Sequence, residues 1–305
     1  MFLDCIAQIV STDDRIVDYL EVMELLSQAG YSPLKMAAVS THAGVGSLLR
    51  KWREQRRLSQ LTLALNAGIS ARHLSFVETG RSNPGRETLL RITEQLAIPL
   101  RERNELLLAA GHAPAFPERS LQDQELAPVR EALDLILRGH EPYPAVVVDR
   151  GWNLVAANAP MMILGEWVDP ALLDAPVNVM RVGLHPRGLA AWIVNLAEVR
   201  AYFVGRLERQ VAITGDSDLT ALLDEVSGYP SPEYDHDPAA AAAAGQILTP
   251  LMRIRSPDGG ELSFFATVAT FGTAVEVTTS ELSVELAFPA DTATAEALKN
   301  LVGDR

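Results

Sequence analysis

The sequence predicts a multidomain chain, in which an all-α bundle is followed by an α+β domain with an antiparallel sheet. Three observations predict it. The length of 305 residues is about twice that of an ordinary domain. Helix-capping and turn signals crowd into residues 46–111, whereas strand and hairpin signals recur after residue 144. A hydrophobic fraction of 48% supplies apolar side chains for a core in each domain.

The first domain carries two short helices joined by a sharp turn. Ser59 can cap the first helix, because its hydroxyl accepts a hydrogen bond from an exposed N–H group at the helix start. Gly68 permits the positive φ that a reversal between two helices requires. Ser70 caps the second helix, Ala71–Thr79, and Gly80 ends it. This spacing predicts a helix-turn-helix.

The second of these helices has one apolar face and one mixed face. Leu74 and Val77 point inward at a spacing of three residues. In the first helix, Leu61 and Ala64 share one face. The outward positions of the second helix are Ala71, Arg72, Ser75, Phe76 and Thr79. A short helix that presents an arginine beside small and apolar groups suits the floor of the DNA major groove.

Charge is distributed unevenly along the chain. Residues 46–111 contain eleven Lys and Arg against six Asp and Glu, an excess of +5. The whole chain carries −13, so the remainder carries −18. Helical bundles often have arginine-rich solvated faces, so the charge alone does not decide. Combined with the helix-turn-helix, a basic segment on an acidic chain indicates binding to DNA phosphates.

Other features restrict the class of protein. Cys5 is the single cysteine, which excludes an intrachain disulfide and predicts a reducing compartment. No apolar run approaches the ~20 residues of a membrane span, and Asp4 interrupts any signal-peptide pattern. We therefore expect a cytoplasmic protein without a membrane partner. The sequence lacks nucleophile-elbow, P-loop and dinucleotide motifs, so we expect no enzyme, no catalytic residue and no cofactor.

Composition gives the expected domain boundaries. An N-terminal extension, helical or disordered, covers residues 1–44, with an amphipathic helix predicted at 16–28. One hypothesis is that translation begins at Met36, so that the extension is not part of the native protein. The alternative is that the extension serves dimerisation or docking. The remaining divisions are a helix-turn-helix domain at 45–112, a proline-containing linker at 113–125, the second domain at 126–298 and a tail at 299–305.

The second domain begins with a predicted helix, Leu126–Arg138, and a hairpin in which Asp149 has a turn role. Further helices are predicted at Pro160–Gly165, Pro170–Asp174, Leu189–Thr214 and Leu219–Val226. Strands are predicted at Pro250–Ser256, Glu261–Phe271, Val275–Thr279 and Glu281–Phe288. A hairpin, then helices, then antiparallel strands is the order of a PAS-like sensor fold.

A proline- and alanine-rich loop is predicted at Tyr229–Gly245. It contains Asp235-His236-Asp237, which has the donor types of a metal site. Adjacent loop residues rarely converge on one ion, and the sequence has no HxxxH or CxxC spacing to supply further ligands. We therefore expect a solvated loop and no metal site.

Longer motifs extend beyond these local patterns. They lie at Pro99–Gly111, Val177–Pro186, Asn195–Arg200, Pro250–Gly260, Ala269–Thr273 and Phe288–Thr294. The first domain resembles the Xre-type, lambda-repressor-like helix-turn-helix of phage repressors. The whole chain, over 48–111 and 118–297, resembles MmyB-like bacterial transcription regulators. The resemblance implies a DNA-binding regulator whose PAS-like domain takes a small apolar ligand, with a fatty acid as the expected class.

The resemblance also implies roles for DNA-contacting residues. Arg72 would donate to guanine O6 and N7, and Phe76, where a polar residue is common, would pack on a thymine methyl. Arg53 and Glu78 align with a partly buried ion pair that serves folding. The DNA-binding set is Gln60, Ser70, Ala71, Arg72, Ser75, Phe76, Thr79, Arg81, Asn83 and Arg86. Gln60 falls on the backbone or a base edge, and the last four residues position the module on phosphates.

A ligand pocket is expected between the sheet and the long helix. Its predicted wall is apolar and consists of Met162, Trp167, Met180, Leu184, Trp192, Phe203, Phe264 and Phe271. A fatty-acid carboxylate would need a polar partner, for which the candidates are Arg181, His185 and Arg200. The alternative is that the wall residues fill an ordinary core and that His185 makes a structural hydrogen bond.

The expected partners are a double-stranded DNA operator, a second copy of the chain and the small apolar ligand. One short helix contacts only a few base pairs, so two copies are needed to read half-sites ~10 bp apart. The alternative is a DNA-binding regulator whose second domain recruits a protein partner and takes no small molecule. A fully packed core in the second domain would favour that alternative.

Overall fold

The computed structural model describes residues 44–230 and 251–303. The predicted N-terminal helix and the metal-type triplet of the acidic loop lie outside these residues. Within them, no helix is both long and apolar enough to cross a membrane. The chain divides into two units between Ala115 and Phe116.

The described part of the first unit consists of five helices around one core. The helices are α1 (Val45–Gln55), α2 (Gln60–Asn66), α3 (Ala71–Glu78), α4 (Arg86–Gln95) and α5 (Leu100–Ala109). Each helix contributes one or more buried apolar side chains, among them the fully buried Leu49, Leu63, Leu74, Leu89 and Leu107. Because all five leucines pack into a single cluster, the helices share one apolar core.

Helices α2 and α3 confirm the predicted helix-turn-helix. The Ser59 hydroxyl accepts a hydrogen bond from the Thr62 N–H at 3.0 Å, and the Ser70 hydroxyl accepts one from His73 at 3.1 Å. Gly68 has φ +65° in the turn. Helix α3 ends at Glu78, followed by Gly80 at φ +72°. The Ser70 cap therefore fixes the start of α3, and the positive φ of Gly80 fixes its end.

The inward face of α2 differs from the prediction. Ala64 is buried, but Leu61, which was expected to share its face, is 61% exposed. The face of α2 that packs on the core of the bundle carries Leu63 and Ala64.

Helix α1 approaches α3 closely at Gly46. A Cβ atom at this position would lie 2.1 Å from the Val77 carbonyl oxygen, far inside van der Waals contact. Only glycine therefore permits the observed distance between the two helices, and this distance positions α3 on the bundle.

The second unit combines helices with a five-stranded sheet. Its helices are α6 (Ala127–Gly139), α7 (Ala159–Gly165), α8 (Val179–Leu184), α9 (Leu196–Thr214), α10 (Ser217–Ser227), α11 (Val277–Ser280) and α12 (Thr292–Gly303). Its strands are β1 (Ala145–Val148), β2 (Leu154–Ala157), β3 (Met252–Arg255), β4 (Glu261–Thr270) and β5 (Ser283–Pro289). Short 3-10 turns cover Gln124–Leu126, Pro170–Leu172 and Leu189–Ala191.

The sheet has the strand order β2-β1-β5-β4-β3, and all neighbouring strands are antiparallel. The hairpin β1–β2 turns at Asp149, whose carboxylate accepts hydrogen bonds from the N–H groups of Gly151 and Asn153, both at 2.8 Å. Helices α7 to α10 lie between β2 and β3 in the chain. This arrangement confirms the predicted PAS-like fold.

The two faces of the sheet meet different helices. Because side chains alternate along a strand, Glu285 of β5 points to α9, where it binds Arg206. Val284, the preceding residue, packs on the other side with Leu133 and Leu137 of α6. We call these faces the α9 side and the α6 side of the sheet.

Two predicted elements of the second unit were wrong, and two helices, α8 and α12, were not predicted. The helix expected at Leu189–Thr214 breaks before Leu196, so Trp192 is not part of α9. The segment Val275–Thr279 was expected to be a strand but contains the start of α11. Helix α12 was missed; it runs to Gly303, past the expected boundary between domain and tail, and its Leu298 is fully buried.

The segment predicted as a linker, 113–125, divides between the two units. Its later part is held by the start of α11. The Arg119 N–H donates to the Glu276 carboxylate at 2.9 Å, and the Val277 N–H donates to the Pro117 carbonyl at 2.9 Å. Leu121 then packs against the core on the α6 side.

Candidate functional site

Helix α3 presents the side chains that sequence analysis assigned to DNA. Leu74 and Val77 are fully buried and anchor the helix to the core. On the opposite face, Arg72 and Thr79 are exposed. Ala71, Ser75 and Phe76 are half-buried. The helix thus offers one mixed face to a partner while its apolar face fixes its orientation.

The Phe76 ring lies near two arginines, one on α3 and one that follows it. The Arg72 guanidinium carbon lies 5.3 Å from the centre of the Phe76 ring, and that of Arg81 lies 6.0 Å from it. The Phe76 carbonyl also accepts hydrogen bonds from the N–H groups of Arg81 at 2.8 Å and Ser82 at 3.1 Å. The backbone after α3 therefore returns to the residue that carries the ring.

Glu78, the last residue of α3, has a buried carboxylate. Its two oxygens accept hydrogen bonds from Arg53 at 2.7 and 2.9 Å, which is the ion pair that the resemblance implied. Arg53 also donates to the Leu58 carbonyl at 2.8 Å. The Gln60 amide donates to Glu78 at 2.8 Å. Gln60, expected at the DNA backbone or a base edge, thus has a partner inside the unit for one amide hydrogen.

Other residues of the predicted DNA-binding set also have internal partners. The Thr79 hydroxyl donates to the Ser75 carbonyl at 2.7 Å, and the Asn83 amide donates to the Ala110 carbonyl at 2.8 Å. The Ser70 hydroxyl caps α3. Arg86, another member of the set, is the first residue of α4, and its side chain is exposed.

In the second unit, the predicted ligand wall divides among three clusters. Met180 and Leu184 of α8 pack with Trp152 and Leu207. Trp167, Trp192 and Phe264 belong to a second cluster, in which the Trp192 indole N–H donates to the Trp167 carbonyl at 2.9 Å. Phe203 of α9 contacts both clusters on the α9 side of the sheet.

Two predicted wall residues lie elsewhere. Met162 is 61% exposed, and the neighbouring Met161 packs inward instead, because α7 presents that edge to the core. Phe271 packs with the cluster on the α6 side. Residues 264 and 271 are seven positions apart, an odd number, so they cannot share a face of one extended strand. The spacing alone could have separated them.

The three polar candidates for a ligand head group have structural partners. Arg181 holds the Glu225 carboxylate with hydrogen bonds of 2.8 to 3.0 Å, which lowers the pKa of Glu225. Arg200 donates to the carbonyls of Ser227 and Tyr229, both at 2.7 Å. The remaining candidate, His185, accepts a hydrogen bond from the Arg187 N–H at 3.0 Å. All three residues support the ends of α8 and α10.

Burial and the hydrogen bond to Glu225 raise the pKa of Tyr229 to about 12. Its hydroxyl donates to the Glu225 carboxylate at 2.6 Å.

The α9 side of the sheet also carries a cation that was not predicted from the sequence, Arg206. Arg206 of α9 donates to both oxygens of Glu285 at 2.7 and 2.9 Å, and both side chains are largely buried. The Arg206 guanidinium also lies 4.5 Å from the centre of the Trp152 ring. Residues 203, 206 and 207 follow helical spacing, so the position of Arg206 beside Phe203 was present as a signal in the sequence.

Comparison with known families agrees with both units. A helix-turn-helix family model matches residues 49–103, which include α2 and α3. The model of the MmyB-like transcription regulator ligand binding domain matches residues 129–301, more than half of the chain. The chain belongs to the MmyB-like transcription regulators. The α9 side of its sheet is therefore part of a family ligand-binding domain.

A curated relative matches part of the MmyB-like chain. It is the uncharacterized HTH-type transcriptional regulator RghRB of Bacillus subtilis (strain 168), 36% identical over 81 residues. The match covers 26% of this chain and 56% of the relative.

Two solved structures also match. The PAS domain of the HTR-like protein from Haloarcula marismortui is 10% identical, with a TM-score of 0.22 over 53% of this chain and 97% of that one. An RNA-binding Light-Oxygen-Voltage receptor is 12% identical, with a TM-score of 0.23 over 96% and 70%. These scores are too low to support an inference.

Proposed function

We propose that this MmyB-like regulator binds a specific DNA operator as a homodimer and that a small apolar ligand of the PAS-like domain modulates the binding. The observation that carries the proposal is the exposed, arginine-bearing face of α3, held on a core by Leu74 and Val77. Since its target is DNA, we expect the protein to act in the cytoplasm. No step of this function requires an enzymatic reaction.

The DNA contacts divide into two kinds. Arg72 reads a guanine edge from within the major groove, where Ala71 and Ser75 leave room for the bases. Arg81 and Arg86 flank α3 and bind phosphates, which position the helix without reading sequence. The net charge of +5 on residues 46–111 favours this approach to DNA.

Dimerisation follows from the size of the reading surface. Helix α3 has eight residues and contacts only a few base pairs, so a pair of copies is needed for a long operator. A ligand modulates binding if it prefers the dimer geometry that fits, or the one that misfits, the half-site spacing.

We place the ligand beside Phe203, the residue common to the two clusters on the α9 side. A fatty acid fits the apolar character of these clusters. Its carboxylate would bind Arg206, the cation beside Phe203, in competition with Glu285. Arginine pairs well with a carboxylate because two parallel N–H groups match its two oxygens.

The DNA part of the proposal is tested with the full-length protein and an operator selected from random duplexes. Arg72→Ala should cost about 1–3 kcal/mol on the operator and relax the base preference. Arg86→Ala is the matched control, because it should weaken binding to all sequences alike and reduce the salt dependence by about one phosphate. Equal losses on operator and random DNA for Arg72→Ala would refute its base-reading role.

The ligand part is tested by native mass spectrometry of the full-length protein, followed by denaturing extraction. We expect a released apolar molecule. If the purified protein is empty, fatty acids should raise its melting temperature more than the fatty alcohols of the same chain length, and Arg206→Gln should remove the difference. A dimer that responds to neither would favour the recruitment of a protein partner.

A further inference from the structure

The surroundings of Phe76 change the role expected for its ring. The resemblance to phage repressors implied that the ring packs on a thymine methyl. In the structure, the guanidinium groups of Arg72 and Arg81 lie 5.3 and 6.0 Å from the ring centre. A guanidinium near an aromatic face gains cation–π and stacking contact. The ring is therefore already in contact with protein groups before DNA arrives.

This contact restrains Arg72 without using its hydrogen bonds. A guanidinium donates through N–H groups in its plane, while its two faces stack. The Arg72 guanidinium carbon lies over the ring of Phe76, one helical turn away, so a stacked guanidinium has one face on this ring. The edge that can donate to O6 and N7 of guanine and the second face remain available to DNA. An exposed arginine is otherwise free to adopt many rotamers, whose loss on binding costs free energy.

The second face of Arg72 then meets a neighbouring base. When the in-plane N–H groups bond the major-groove edge of guanine, the guanidinium lies close to the plane of that base. Its open face points to the next base pair in the groove. A pyrimidine there presents its C5 position to the groove, and thymine carries a methyl at C5. Apolar contact of this methyl with the guanidinium face is favourable, since the arginine face is weakly hydrated.

We propose that Phe76 is a positioning residue that directs Arg72 to a guanine preceded on its strand by a 5-methylpyrimidine, thymine or 5-methylcytosine. This inference rests on the proposed DNA-binding function. Arg81 remains a phosphate contact, and its backbone bond to the Phe76 carbonyl fixes its distance from the ring. The reading unit is thus the Arg72–Phe76 pair and not the arginine alone.

The test begins with selection of an operator from random duplexes by the full-length protein. We expect each half-site to contain thymine followed by the guanine that Arg72→Ala ceases to select. Replacing this thymine by uracil removes only the methyl and should weaken binding about fourfold. With cytosine at the same position, methylation at C5 should raise the binding affinity about fourfold. Uracil in place of a thymine outside the half-site is the control.

Variants of Phe76 separate positioning from folding. In the wild type, 7-deazaguanine at the Arg72 position removes the N7 acceptor and should weaken binding. Phe76→Leu should reduce this penalty and lower operator affinity about two- to fivefold, the range of an exposed cation–π contact. Its affinity for random DNA should not change. Phe76→Tyr keeps an aromatic face and should restore the wild-type penalty.

Several results would overturn the proposal. One is a selected guanine that follows unmethylated cytosine or a purine, and another is an unchanged 7-deazaguanine penalty in Phe76→Leu. Equal losses on operator and random DNA for Phe76→Leu would assign Phe76 to folding alone. Enrichment of no sequence at all would overturn the proposed function, whereas the first two results leave that function in place.

Discussion

At the scale of single residues, Glu78 joins three parts of the DNA-binding unit. Its carboxylate on α3 binds Arg53 of α1 and Gln60 of α2, and 1% of its side chain is exposed. A buried ion pair adds little net stability over apolar residues of the same volume, but removal of one partner leaves the other charge buried. This pair therefore fixes the relative positions of α1, α2 and α3.

Glu78→Ala is expected to lower the free energy of unfolding of the first unit by about 3–5 kcal/mol, because Arg53 loses its buried counter-charge. Urea denaturation followed by circular dichroism measures this change. The control is Glu54→Ala: Glu54 is exposed, binds Arg50 at 2.8 Å and lies 3.6 Å from Arg53, which keeps its bonds to Glu78 in this variant. An exposed ion pair adds little to stability, so the control should unfold as the wild type does. Equal losses in the two variants would contradict the structural role of Glu78.

Single residues also show which parts of the site the sequence could predict. Ser59, Gly68, Ser70 and Gly80 were placed correctly because caps and positive φ depend on neighbours within four residues. The pairing of Arg206 with Glu285 joins positions 79 residues apart, so local patterns contain no signal for it.

At the scale of elements, the α1–α3 contact depends on the absence of a side chain at Gly46. The Val77 carbonyl oxygen occupies the space that a Cβ atom would need. Helix α3 can therefore be displaced by a methyl group on a different helix, far from its own DNA-facing side chains.

Gly46→Ala is expected to destabilise the first unit by about 1–3 kcal/mol, the usual cost of overpacking, because the helices must separate. It should also weaken operator binding, since α3 moves on the bundle. Thermal melts and a binding titration measure the two effects. Gly85→Ala is the control, because Gly85 precedes α4 with open space around it. A Gly46→Ala variant as stable as Gly85→Ala would show that the helices adjust freely.

In the second unit, the Glu276 carboxylate joins the start of α11 to the segment at Arg119. Burial alone raises the pKa of this carboxyl, but hydrogen bonds from the N–H groups of Thr279, Arg119 and Thr278 and from the Thr279 hydroxyl outweigh it, so the pKa is lowered. The ionised form therefore caps α11 and attaches the segment before Leu121 to the unit.

Because the folded pKa of Glu276 is lowered, its contribution to stability is present above the ordinary value of 4.5 and is lost as the pH falls through the folded value. Glu276→Gln should lower the free energy of unfolding at pH 7 by about 1–3 kcal/mol. The difference from the wild type should shrink at acidic pH. Urea titrations between pH 3 and pH 7, at intervals of about one pH unit, measure it, with the exposed Glu131→Gln as control. A difference that stays constant with pH would refute the role of the ionised carboxylate.

Element predictions were correct where one pattern dominated and wrong where tertiary contacts decided. The hairpin β1–β2 has a strong turn at Asp149, and the structure places it there. The segment 275–279 is rich in β-branched residues and reads as a strand, yet the cap at Glu276 starts a helix. The long helix was expected to include Trp192, but Ile193 forms a bridge with Ile254 that ends helical structure before α9.

At the scale of the whole molecule, the two units have separate cores and opposite charge. Among the described residues, the core of the first unit draws on residues 45–115, and the clusters of the second unit draw on residues 121–301. The residues of the predicted ligand wall divide among three clusters, because the apolar side chains of these clusters look alike in a sequence. Which of them meet is decided by the sheet faces and not by composition.

Separate cores predict separate unfolding transitions in calorimetry of the full-length protein. Operator DNA at 100 times its Kd should stabilise the DNA-binding unit by about 2.7 kcal/mol, whereas a PAS-domain ligand should chiefly stabilise the other unit. Glu78→Ala should lower the first of these transitions alone, and Glu276→Gln the second alone, which assigns each peak to its unit. A single transition that both variants lower equally would show that the units unfold together. If the transitions are separate but operator DNA also raises the melting temperature of the PAS-like unit, the two sites are coupled, and the size of that shift measures the free energy through which a ligand can regulate DNA binding.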